Sequence, residues 1–264
     1  MATAFQFPER QPALDAALAS LLNALDELAD VALPLMTDMR FSAVAGRLSF
    51  QTLMETGNLF RQELAGKSAG WNTPFAGRLL LELGGFWGWA QDAALNGAHP
   101  GDAMRAFGHT TVAEIDKGLR NAGLGVTSID RFLGPAVAFR DVTASSGTVP
   151  IPKRVSEMLL LGYNDFGRVA NRLYRLLSQF THGTGLGVMH LEEDGNFGTI
   201  SEPMRAVAAA GLALGADALT QFPIVLGIGL DEALHVEVRR FRNNVRSASV
   251  HVLRIVEALT GIIV

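Results

Sequence analysis

Leucines recur at helical spacing through residues 13–32. Leu14, Leu18, Leu21, Leu22, Leu25 and Leu28 fall on one face, and acidic residues occupy the other. That period specifies an amphipathic helix that must bury one stripe against a partner. Pro34 closes the pattern, since proline has no amide to continue it. The same period returns along most of the chain, which directs it to an all-α bundle.

Further helices are read over residues 41–64, 74–95, 102–121, 203–221 and 230–259, with Pro74 suited to a helix start. Residues 123–152 carry Gly, Pro and Ser punctuation and read as a long irregular connection. Residues 153–182 read as one long helix, about 45 Å if unbroken, with Gly162 and Gly167 as bend points. Residues 188–200 give the only strand signal, a small β-hairpin turning near Asp194-Gly195. We read one domain, in which residues 1–40 form an N-terminal helical segment packing on a core of residues 41–264.

The end of the long helix is chemically unusual. Tyr174, Ser178 and His182 are four apart and stack on one face, Arg175 borders them, and Gly183 follows as the C′ residue. A cation, a hydroxyl and a titratable imidazole therefore converge. On the 74–95 helix, Arg78 and Glu82 are also four apart, on an otherwise apolar surface. Buried there, the pair needs further partners, and the Tyr174/Ser178/His182 face supplies them. The plainer reading makes these a surface ion pair and a helix-end histidine opposing the macrodipole.

The Arg-x-x-x-Glu helix followed by Tyr-Arg-x-x-Ser-x-x-x-His-Gly resembles the HEPN (higher eukaryotes and prokaryotes nucleotide-binding) superfamily, close to bacterial helical proteins that share both motifs. The resemblance runs over about residues 41–259 and makes residues 41–264 a HEPN-like helical domain. It implies a metal-independent ribonuclease or nucleotide-binding protein of toxin or antiphage type, working as a homodimer without cofactor. His182 would be general base and Arg175 would stabilise the phosphate, with Tyr174, Ser178, Arg78 and Glu82 in substrate binding. Leu176 departs from the pattern, which carries a small polar residue directly after the Arg. Two alternatives stand beside this reading. One is a non-catalytic helical interaction module. The other is an enzyme acting on a small apolar substrate in a pocket lined by Phe86, Trp87 and Trp89.

Composition bounds these readings. The 264 residues are 48% hydrophobic and 18% charged, enough for a large core, and surface charge this sparse fits an oligomer. The net charge of −4 gives no global basic field, so DNA is not expected as a partner, while RNA or a nucleotide at a local site is. The chain has no cysteine, which excludes disulfides, thiolate nucleophiles and Cys-based metal sites. Glu232-x-x-His235 has the spacing of half a di-metal site, but no second half exists, so no metal is expected. Arg239, Arg240, Arg242, Arg246 and Arg254 make the last helix basic on part of its surface. Residues 206–230 are apolar enough to suggest a membrane span. Asp217, Gln221 and Pro223 interrupt them, and Gly211 and Gly215 suit close packing in a core. No membrane partner is expected. Residues 1–10 carry no secretory pattern, so the expected location is cytoplasmic.

Overall fold

The computed structural model describes residues 11–37, 41–66, 72–99, 101–106, 117–118, 120–123, 149, 151–181 and 200–262. The fold is all-α, and no strand occurs among the described residues. The principal helices are α1 (Pro12–Leu35), α2 (Phe41–Leu64), α3 (Asn72–Leu95), α4 (Val155–Gly162), α5 (Gly167–Thr181), α6 (Glu202–Leu219), α7 (Phe222–Leu226) and α8 (Glu232–Thr260). The expected hairpin lies outside the described residues apart from Ile200. So do the 123–152 connection, apart from a few positions, and most of the 102–121 helix beyond residue 106.

α6 is the axis of the bundle. Every residue from Met204 to Ala216 is buried. Its run of alanines and glycines lets α3 and α8 pack closely on it. A Cβ on Gly211 would overlap the Gly77 carbonyl, and one on Gly215 would lie 2.5 Å from the Leu80 carbonyl oxygen. The apolar 206–230 stretch is therefore a core helix, a short loop turn and α7. Among the described residues, no helix is long and apolar enough to cross a membrane.

α1 buries the whole leucine face seen in the sequence and packs on α8 and α2. Pro34 sits inside its last turn. Phe50, Trp87 and Phe222 join α2, α3 and α7, with edge-on rings at 6.5 Å and 5.6 Å. α8 starts on Asp231, whose carboxylate accepts from the Leu234 amide at 2.8 Å. It ends at Gly261 in the left-handed region, φ 66°.

The helix expected over residues 153–182 is broken. α4 stops at Gly162, a 3₁₀ turn covers Asn164–Phe166, and α5 begins at Gly167. Asn164 carries a positive φ of 46°, and the bend points named in the sequence flank the break. The reason is packing. The Gly162 backbone lies directly against Gly85 and Gly88 of α3. Tyr163 turns inward and its hydroxyl donates to the Leu81 carbonyl at 3.0 Å.

A buried ion cluster ties α1, α2 and α6. The Arg205 guanidinium, on a residue only 3% exposed, pairs with Asp15, Glu63 and Glu202. Thr73 at the start of α3 donates to Glu63 at 2.8 Å, and the Gln11 amide donates to Glu202 at 3.0 Å. Burial pulls the Arg205 pKa down, but Glu63, Glu202 and Asp15 outweigh it and the net direction is up.

Candidate functional site

The two polar helix faces meet. α3 packs against α5, so Arg78 reaches across to Tyr174. Its Nη2 donates to the Tyr174 hydroxyl at 3.3 Å, and its Nε donates to Glu82 at 2.9 Å. The guanidinium carbon also lies 5.2 Å from the Tyr174 ring centroid, within cation–π range. The Arg78 and Glu82 side chains are about a fifth and a third exposed (21% and 29%), so the pair sits at the edge of the interface. One cation thus holds a carboxylate and a phenol, which fixes the orientation of α5 on α3.

Ser178, one turn further along, is half-buried. Asn171, one turn earlier, was not singled out in the sequence, yet its buried Oδ1 has no hydrogen-bond partner among the described residues. Its signal was present, since Asn171, Tyr174 and Ser178 are spaced three and four apart. Arg175 does not join this cluster. It is exposed on the solvent side of α5. His182, the residue after α5, lies outside the described residues, as does Gly183.

On the solvent side Arg175 has company that sequence reading passed over. Arg168, Arg172 and Arg175 stand at i, i+4 and i+7, and all three are exposed. α5 contains no acidic residue. No ion pair to any of the three occurs among the described residues.

The aromatic pocket expected from Phe86, Trp87 and Trp89 does not form as a unit. Trp87 is wholly buried in the core against Phe50. Trp89 packs on Phe86 at 5.8 Å and lines an open groove of about 590 Å³ with Ala93, Ile151 and Leu161. Successive helical residues point about 100° apart, so neighbouring aromatics cannot all face one cavity. Glu232 and His235 are both exposed, on the outer face of α8. No group of three or more His, Asp or Glu positioned for a metal occurs among the described residues.

A second polar cluster was read in the sequence only as an interruption. Asp217 and Gln221 leave the end of α6 and face Arg242, Arg246 and Ser249 of α8 around a cavity. Burial pushes the Asp217 carboxyl above the ordinary carboxylate range, and the charges of Arg246 and Arg242 pull it partly back. Burial, then the charge of Asp217, keeps the Tyr163 phenol protonated. Because its folded pKa exceeds the unfolded value of about 3.9, ionised Asp217 costs stability as pH rises through the folded value. Asp217→Asn is therefore expected to raise Tm at neutral pH, with the gain fading as pH falls toward 3.9. Thermal melts across pH check this, and a gain independent of pH would contradict it.

Neither protein-family models, nor curated proteins, nor solved structures give a match to this chain.

Proposed function

We propose that this protein binds RNA along the solvent face of α5 and cleaves it without a metal, using Arg175 and His182. The observation that carries the reading is the exposed Arg168/Arg172/Arg175 stripe on a helix free of acids. Seven residues of helix advance about 10 Å, a length that faces about three phosphates of a stacked strand. Such a stripe gives local affinity to a chain whose net charge is −4. The Arg78–Tyr174 contact supports it by holding α5 in one orientation.

In this reading His182 takes the proton of a ribose 2′-hydroxyl as general base. The freed oxygen attacks the adjacent phosphorus, the P–O5′ bond breaks, and the departing 5′-oxygen takes a proton from water, to which His182 returns its own. The products are a 2′,3′-cyclic phosphate and a 5′-hydroxyl end. Arg175 stabilises the charge that develops on the phosphate. The requirement for a 2′-hydroxyl selects RNA over DNA. By analogy with the HEPN proteins it resembles, the site is completed in a homodimer.

The test is a labelled single-stranded RNA incubated with purified protein, with and without chelator. Wild type is expected to bind and cleave, unaffected by chelator. His182→Ala should bind and not cleave. Arg168→Glu/Arg172→Glu/Arg175→Glu should lose binding, and the wild-type affinity should fall steeply with salt. Binding without cleavage by wild type moves the protein to a non-catalytic RNA-binding module. No binding at low salt overturns the proposal.

A further inference from the structure

The cavity between the end of α6 and α8, about 400 Å³, is lined by three kinds of group that no single core function uses together. The first kind is acceptors. Asp217 Oδ1, Gln221 Oε1 and Ser249 Oγ are buried and make no hydrogen bond among the described residues. Gln221 is 8% exposed and Ser249 only 2%. Unsatisfied buried polar atoms are costly, so three at one place call for a partner that can donate to all of them. They also lie at the C-terminal end of α6, where the helix dipole favours positive charge.

The second kind is cations. Arg242 and Arg246, from the basic face of α8, both act electrostatically on Asp217. Yet no ion pair joins either arginine to it. The space between carboxylate and guanidiniums is thus open to a group that bridges them. The third kind is apolar. Leu214 and Leu253 form a wall, while Phe166 and Val250, 44% and 40% exposed, stand at the rim.

We infer that this cavity binds a free α-amino acid with an apolar side chain. The ammonium has three N–H donors for Asp217, Gln221 and Ser249. The carboxylate faces Arg242 and Arg246. The side chain lies on Leu214 and Leu253 and is covered by Phe166. A cavity this size is at the small end of ligand sites. An anion alone leaves the three acceptors unsatisfied, and an amine alone leaves the two guanidiniums unmatched.

Calorimetric titration of the full chain with each apolar amino acid tests the inference, with L-leucine compared against isopentylamine, 4-methylpentanoate and inorganic phosphate. Saturable binding of at least one amino acid at millimolar concentration or below is expected. For L-leucine, both truncated analogues should bind more than about tenfold more weakly. Asp217→Asn and Arg246→Ala, each checked for folding by thermal melting, should weaken binding by at least a similar factor. The Arg168/Arg172/Arg175 variant should bind like wild type, which separates this site from the RNA reading. No binding by any apolar amino acid, phosphate binding that matches or exceeds amino-acid binding, or binding indifferent to Asp217 and Arg246 each overturns it.

Discussion

Arg205→Met is expected to cost about 3–5 kcal/mol of folding stability, the range for removing one partner from a buried ion cluster. The guanidinium pairs with Asp15 of α1, Glu63 of α2 and Glu202 of α6, and its residue is 3% exposed. Methionine fills much of the volume but leaves three carboxylates facing one another with little water. The loss is therefore mainly electrostatic, and two consequences distinguish it from a packing defect. It should shrink in mild acid, where the stranded carboxylates bind protons more readily than in the unfolded chain. It should also be largely recovered when Asp15→Asn, Glu63→Gln and Glu202→Gln are added. Urea denaturation at pH 5 and pH 7 reads both. Arg61→Met is the control. Its pair with Asp26 at 2.5 Å is 30% and 46% exposed, and a loss of about 1 kcal/mol or less is expected. Equal losses for the two variants, or a pH-independent loss at Arg205, would contradict this account of the cluster.

Gly88→Ala should be nearly as damaging, for a steric reason. A Cβ there would overlap the Gly162 carbonyl, the backbone of α4. Neither helix can yield by a side-chain rotation, so α3 and α4 must separate. Overpacking of this kind costs about 1–3 kcal/mol and sometimes more, and backbone against backbone belongs at the upper end. Gly85→Ala should cost less, because its Cβ meets Leu159 Cδ2 at 2.8 Å, the end of a side chain that can turn. Gly229→Ala has open space around it and should change stability by less than about 0.5 kcal/mol. Denaturation midpoints should follow the order Gly88, Gly85, Gly229. A Gly88→Ala protein as stable as wild type would mean that α3 and α4 do not cross as closely as described. Gly88 and Gly162 also border the cavity at Asp217, so the same variant should disturb any ligand binding there.

The helices were legible because their signals are local. The Leu14–Leu28 stripe, Pro34, Pro74 and the apolar run after Ala206 each act within a few turns, and α2 runs over the residues read from the sequence. The meeting of Arg78, Glu82 and Tyr174 was also legible, since two polar faces on apolar helices need each other to limit desolvation. Arg175 was placed with that face on spacing alone. Its 100° offset from Tyr174 turns it outward, to a stripe with Arg168 and Arg172. Gly162 and Gly167 were noted as bend points, but the full break between α4 and α5 follows from contact with α3.

By itself, the sequence determined the helical class, the bounds of most helices and which faces are apolar, because hydrophobic period, proline and caps act over neighbouring residues. Only the tertiary structure decided which charges are buried and with whom. Arg205 finds Asp15 and Glu63 across 190 and 142 positions, and Asp217 faces arginines on another helix. Nothing local distinguishes those residues from solvated ones. Their meaning comes from burial, where an unpaired charge is too costly to persist and each group must be matched by whatever the packing brings alongside.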